Sequence, residues 1–253
     1  MATQSSVDAQ RRRDAILEVL TEDGAVDLHA LAQRFDVSAM TIRRDLESLE
    51  REGVLQRVRG GAVATIRPRT FGERRGLGAR AKQLIASKAV RLFPRSGAVA
   101  LDASSTIGTL AGRMRGAWSV TVATNSYENF TALAAIPKVT PVLAGGELEP
   151  STGSLVGPIT CAAAESLVYQ RFFLSASAVD AVHGTSEVSL AEAEVKRAFA
   201  GRSRETVLCV DSTKLGQLSS AAGFPLSAID VMITELAPSD PRLDPYRGLV
   251  ELV

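Results

Sequence analysis

What most restricts the fold of this chain is a change of pattern near Ala79. From there on, short apolar runs alternate with helical segments. A helix over Arg80–Leu92 leads to the run Ala98–Asp102, one over about Ser105–Met114 to Ser119–Ala123, and one over Ser126–Ala135 to Val139–Ala144. Later runs at Arg171–Ser175, Thr206–Val210 and Val231–Thr234 are interleaved with helices over Pro158–Tyr169 and Leu190–Ala200. Short apolar strands separated by amphipathic helices build a mostly parallel sheet covered on both faces. The expected architecture is therefore α/β, with a Rossmann-like domain over 79–253.

The first 65 residues follow a different rule. Ile16, Leu17 and Leu20 share one face of a helix beginning near Ala9, and Glu22-Asp23-Gly24 stops it. Asp27 is an N-cap for a short second helix over Leu28–Phe35, and Ser38 is one for a third that runs to about Glu52 and ends at Gly53. In the third helix Ile42, Leu46 and Leu49 form one buried stripe. Residues 54–65 alternate apolar and polar around Gly60-Gly61, the pattern of a hairpin. Residues 66–78 have Pro, Gly and charge without periodicity and are expected to be a linker.

Three helices and a hairpin suit a small winged helix-turn-helix whose third helix enters the major groove of double-stranded DNA. With Ile42 facing inward and a step of about 100° per residue, Met40, Arg44, Glu47 and Arg51 face outward, with Thr41 and Arg43 on the flanks. An outward arginine forks onto guanine and a flanking one clamps phosphate; Arg57 and Arg59 sit on the hairpin. Asp45 is unexpected on such a face, and its expected role is an ion pair holding a flanking arginine. The charge count supports a local surface only. Residues 1–78 hold 13 basic against 12 acidic residues, while 38–75 hold nine arginines against five acids. By pattern alone, a helical subdomain with a solvated arginine face remains the alternative.

In the larger domain, Asp102, Ser104, Ser105 and Thr106 follow a strand and open a helix. Backbone N–H and hydroxyl groups there suit an anion, and a plain N-cap is the alternative. Asn125 follows the next strand, Gly145-Gly146 the third, and Asp211–Lys214 a late one. In open α/β sheets this carboxyl edge is where ligands bind.

Composition narrows the setting. Hydrophobic residues are 45% and charged ones 23%, a globular balance. Cys161 and Cys209 lie in apolar runs without metal-ligand spacing, so neither a disulfide nor a metal is expected, and both are read as buried thiols. No apolar run is long enough to span a membrane and no secretory leader is visible, so a cytoplasmic protein is expected.

The run from Val37 to Leu46 (VSAMTIRRDL), followed by Arg57 to Ala62 (RVRGGA), resembles the signature of DeoR-type bacterial transcription regulators. The resemblance implies that Ser38, Thr41, Arg43 and Arg44 contact DNA, with Arg57 and Arg59 on the wing. It extends through the larger domain, which in that family is similar to ribose-5-phosphate isomerase and glucosamine-6-phosphate deaminase and senses a sugar phosphate. Matching positions are Lys82, Asp102 through Thr106, Asn125, Gly145-Gly146, Gly157, Gly184 through Glu187, Lys196 and Asp211 through Lys214. Three departures bear on which sugar is bound. Ser104-Ser105-Thr106 stands where the family has Gly-Thr-Thr, Ala81 replaces a common Glu, and Tyr169-Gln170-Arg171 lacks a frequent Asp.

The expected protein is thus a DNA-binding regulator, a repressor of carbohydrate genes relieved by a phosphorylated sugar, working as a homodimer or homotetramer without a cofactor. Its effector site would be Lys82, Asp102, Ser104, Ser105, Thr106, Asn125, Gly145, Gly146, Glu187 and Lys214. The alternatives are a sugar-phosphate isomerase or deaminase fused to a DNA-binding module, and a DNA-binding scaffold with a silent pocket. An enzyme needs a placed base; Asp102, Glu187, Glu194 and His183 are the candidates. None shows the spacing of a catalytic pair, while Glu192, Glu194 and Lys196 suit the solvated face of one helix.

Overall fold

The computed structural model describes residues 2–51, 54–64, 70–114 and 119–253, and of residues 2–8, 18, 21–23 and 64 the backbone alone. The chain divides into two compact units, Met1–Arg67 and Pro68–Val253. Gly53, expected to end the third helix, Thr65 of the expected hairpin and residues 66–69 of the expected linker lie outside the described residues.

The first unit consists of α1 (Ala2–Asp23), β1 (Ala25–Asp27), α2 (Leu28–Arg34), α3 (Ala39–Arg51), β2 (Leu55–Val58) and β3 (Gly61–Ala64). α1 starts seven residues earlier than its apolar pattern, at Ala2 rather than Ala9, and Gly24 caps it with φ 73°. Asp27 Oδ1 accepts from the N–H groups of His29 and Ala30, both at 2.9 Å, which opens α2. Ile42, Leu46 and Leu49 of α3 close on Ile16, Leu20, Leu31 and Leu55 as one core. The hairpin β2–β3 gains a third, antiparallel strand in β1, giving the order β1-β3-β2.

One expectation is corrected here. Asp45 does not hold a flanking arginine of its own helix. It faces inward, 4% exposed, and takes the guanidinium of Arg12 on α1 at 2.6 and 3.3 Å. Asp45 lies three residues past the inward Ile42, so the helical period turns it toward α1.

The second unit opens with α4 (Phe71–Gly76), which forms within the expected linker, and α5 (Ala79–Ala89). There follow β4 (Ser96–Leu101), α6 (Ser105–Ala111), β5 (Ser119–Thr124), α7 (Tyr127–Ala134), β6 (Val139–Leu143), β7 (Glu147–Leu148), β8 (Leu155–Val156) and α8 (Pro158–Glu165). The rest is β9 (Arg171–Leu174), β10 (Ala178–Asp180), β11 (Gly184–Glu187), α9 (Leu190–Gly201), β12 (Thr206–Cys209), β13 (Ala221–Ala222), β14 (Val231–Ile233) and β15 (Glu251–Leu252). Seven strands form a parallel sheet in the order β15-β14-β12-β9-β4-β5-β6. β10, β11 and β13 make a small antiparallel sheet, and β7 pairs with β8.

Strand period explains the two cores. Ala100, Phe172, Leu174 and Leu208 point to one face, toward Val195 and Phe199 of α9. Their neighbours Val99, Leu101, Phe173, Val207 and Cys209 point to the other, toward Ile85 of α5 and Ile107 and Leu110 of α6. Cys209 is buried as expected; Cys161 is only partly so, and both thiols are free. Among the described residues no helix is long and apolar enough to cross a membrane.

The strand order also fixes where a ligand can sit. The chain moves outward from β4 through β5 to β6, returns to the other side of β4 as β9, and proceeds outward through β12 and β14 to β15. Connections therefore diverge between β4 and β9, the switch point at which open α/β sheets leave a crevice beside the carboxyl ends of their strands.

Candidate DNA-reading face and effector site

On α3, Ser38 caps the first turn: Thr41 N–H donates to its Oγ at 3.2 Å, and the two hydroxyls lie 2.9 Å apart. The preceding turn is tight, with Asp36 at φ 51°, a left-handed conformation that Asp tolerates. Ser38, Met40, Arg43 and Arg44 are exposed and Thr41 is half-buried. Among the described residues, the guanidinium groups of Arg43, Arg44 and Arg59 make no hydrogen bond or ion pair with the rest of the chain, so they present unneutralised charge. Arg57 differs. It donates to Glu47 and Glu50 of α3, both at 2.7 Å, and its own N–H donates to Glu50 at 2.9 Å. The hydrogen bonds from Arg57 hold the Glu50 carboxyl below the usual range. Arg57 thus fastens the wing to the third helix.

At the sheet crevice, Asp102 follows β4 and is fully buried. Its Oδ1 accepts from Ser104 N–H at 2.9 Å, and its Oδ2 accepts from Ser175 N–H, at the end of β9, at 2.8 Å. The same oxygen lies 3.3 Å from Lys196 Nζ. This carboxylate therefore joins the two central strands. Ser104 caps α6 by accepting from Ile107 N–H, while the N–H groups of Ser105 and Thr106 begin the helix with no carbonyl beneath them.

Lys196 donates to Glu187 Oε1 at 2.6 Å and to Ser175 O at 2.8 Å. Burial works against its charge, yet Glu187, Asp102 and Glu192 around it hold its pKa above the lysine range. Burial pushes the Glu187 carboxyl up, with Lys196 opposing. Glu192 and Lys196 are buried, so of the three residues expected on the solvated face of α9 only Glu194 is exposed. Of the four candidate bases, Asp102 and Glu187 are tied to Lys196, whereas Glu194 and His183 lie on the surface.

Lys214 follows β12. Its Nζ donates to Ser175 Oγ at 3.1 Å and Ala176 O at 2.6 Å, and among the described residues no carboxylate lies within ion-pair distance of it. Burial lowers its pKa; Asp211 and Glu187 oppose this, Lys196 and Arg74 add to it. Asn125 follows β5 and donates from Nδ2 to Leu155 O at 2.9 Å. That carbonyl fixes the orientation of the amide, and Asn125 Oδ1 is left buried without a partner.

Two expected residues have structural reasons for their identity. Lys82 donates to the carbonyls of Leu77, at 2.6 Å, and Arg74, closing the C-terminal end of α4. At Gly146 a Cβ would collide with Thr160 Oγ1 and crowd Val156 O, whereas the space beside Gly145 is open. Residues not singled out from the sequence also reach the crevice, namely Thr152, Ser154, Ser175 and Arg74. Arg74 stands on α4, where Thr70 and Glu73 form a reciprocal cap. Its Nη2 donates to Thr152 O at 2.8 Å and Ala103 O at 3.4 Å, and its Nε is buried without a partner. The Thr-x-x-Glu spacing was the available signal for α4.

A winged helix-turn-helix with free arginines on its third helix, followed by a parallel sheet with a polar crevice at its switch point, defines a DNA-binding regulator with its own sensor domain. Residues 12–67 match the family model of the DeoR-like helix-turn-helix domain, and residues 78–236 match that of the DeoR C-terminal sensor domain. The chain belongs to the DeoR family of transcriptional regulators. It is 34% identical over 227 residues to the uncharacterized HTH-type transcriptional regulator YgbI of Escherichia coli, covering 88% of this chain and 89% of that one. Identity is 31% to the L-fucose operon activator of Haemophilus influenzae, covering 90% and 93% of the two chains. It is 28% to the lactose phosphotransferase system repressor of Lactococcus lactis, covering 95% and 96%.

Proposed function

We propose that this regulator represses genes of carbohydrate use and releases its operator when a phosphorylated sugar occupies the crevice between β4 and β9. The observation that carries the reading is Lys214, a partly buried ammonium that meets only neutral acceptors, Ser175 Oγ and Ala176 O. Desolvated charges are costly unless matched, and an anionic ligand supplies the match. Ser105 and Thr106, whose N–H groups at the start of α6 find no acceptor among the described residues, suit the same anion. The named relatives act on a lactose phosphotransferase system and an L-fucose operon, which supports a sugar as the rest of the ligand. Repression follows the lactose relative, which is named a repressor; the fucose relative is named an activator.

Ser38, Met40, Thr41, Arg43 and Arg44 form the proposed reading face of α3, with Arg59 on the wing. Arg57 serves that face by fixing the wing. We infer a homodimer or homotetramer, whose paired heads read half-sites about 10 bp apart. Ligand and DNA then compete through linkage, each weakening the other by the same factor. The direct test is operator binding by fluorescence anisotropy with DNA from upstream of the chain's own gene, titrated with phosphorylated sugars and their unphosphorylated parents. Release by phosphorylated compounds alone is the expected result. Release by the parents, or by neither set, would refute this effector class.

A further inference from the structure

We propose that Arg74 and Asn125 are the specificity-determining pair of the effector crevice. Arg74 donates from Nε to an anionic oxygen of the ligand, and Asn125 accepts at Oδ1 from a hydroxyl of the same molecule. The inference rests on the reading of the crevice as a phosphorylated-sugar site. It adds two contacts of opposite sense, neither of which is supplied by Lys214 or the start of α6.

Among the described residues, Arg74 Nε and Asn125 Oδ1 are the two buried side-chain polar atoms that lack a hydrogen bond. Folded interiors pair the large majority of such atoms. These two also border one segment of chain. Arg74 Nη2 donates to Thr152 O at 2.8 Å, and Asn125 Nδ2 donates to Leu155 O at 2.9 Å. Leu155 N–H returns a bond to Asn125 O at 2.8 Å. The segment between them is fixed in turn, because Ser154 Oγ donates to buried Glu192 at 2.8 Å and lies 2.9 Å from Thr152 Oγ1. Each residue is therefore held by its other polar group, which leaves the unpaired atom with a set direction.

The two atoms select chemistry. An arginine Nε–H is a charged donor, so it takes an anionic oxygen, and its planar fork cannot be reproduced by a lysine. An amide oxygen takes a hydroxyl or amine and has no attraction for phosphate. The positive charge of Arg74 also reaches Lys214, so an anion shared by the two cations relieves their mutual repulsion. A polyhydroxylated phosphate satisfies both unpaired atoms; inorganic phosphate satisfies Arg74 alone, and an unphosphorylated sugar Asn125 alone.

The test uses the full chain and isothermal titration with inorganic phosphate, ribose 5-phosphate, glucose 6-phosphate, glycerol 3-phosphate and the unphosphorylated sugars. The tightest sugar phosphate for the wild type is carried forward to Arg74→Lys and Asn125→Ala, with melting of the unliganded variants checking the fold. Arg74→Lys is expected to weaken both that compound and inorganic phosphate by roughly tenfold or more. Asn125→Ala is expected to weaken the sugar phosphate by a similar factor and leave inorganic phosphate unchanged. A merely structural role would weaken all ligands together in both variants. Wild-type affinities in both folded variants would overturn the assignment and leave the crevice reading standing. If the wild type binds none of the phosphorylated compounds, the crevice reading falls and the pair with it.

Discussion

At Lys214 burial lowers the pKa, and the carboxylates of Asp211 and Glu187 are offset by the cations Lys196 and Arg74. Only the protonated form attracts an anion. A phosphate ester is already doubly charged above about pH 7, so in alkaline solution the protein's own titration governs affinity. The proposed effector should therefore bind more weakly as pH rises through the depressed pKa of Lys214, below the ordinary lysine value of 10.5. Titration calorimetry across that range checks it. Lys214→Arg should bind with flat pH dependence, and a wild type equally flat would remove Lys214 from the site. On the DNA side the same reasoning separates residues of one type. Arg44 and Arg43 present free charge, whereas the charge of Arg57 is spent on Glu47 and Glu50. Sequence motif alone cannot tell these arginines apart, because the difference lies in carboxylates seven and ten residues away.

Among the elements, the wing shows how two adjacent glycines answer different demands. Gly60 turns the chain at φ 92° with open space beside it, while a Cβ on Gly61 would strike the carbonyl oxygen of Val26 on β1. Gly60→Asn should cost about 1 kcal/mol or less, since Asn tolerates positive φ. Gly61→Ala should cost about 1–3 kcal/mol by forcing β1 away. Both are measured from the temperature at which operator binding is lost, and equal losses would contradict the distinction. The long elements were legible in the sequence because periods of 3.6 and 2 separate cleanly over eight or more residues. The missed ones were short. β1 and β10 are three residues each and β7, β8, β13 and β15 two, too few to establish alternation; β14, also of three, was not missed, because its apolar run stood out. α4 was hidden because Gly and Arg fill a six-residue helix that is held by its cap and by Lys82 rather than by an apolar stripe. At the site, the strand-end positions were readable from the α/β pattern. The burial of Glu192 and Lys196 arises from packing against other segments and leaves no local trace, while the partners of Lys82, five and eight residues away, belong to the end of α4, which the pattern missed.

For the molecule as a whole, the near balance of charge, 29 basic against 28 acidic residues, means that DNA affinity cannot come from net charge. It must come from a few arginines concentrated on one face. Operator affinity should then fall steeply and log-linearly with salt, and Arg43→Ala should flatten that slope by about one per head while keeping sequence preference. A slope unchanged by the substitution would place Arg43 off the phosphates. The sheet order β15-β14-β12-β9-β4-β5-β6 also governs how the molecule is made. As the chain leaves the ribosome, β4, β5 and β6 emerge together and can pair at once. The inner edge of β4 stays open until Phe172 emerges to lie beside Ala100. An apolar strand with an unpaired edge is a template for association with other chains. The strand that later lies at the centre of the sensor, bordering the crevice, is thus the one most exposed to misassembly during synthesis.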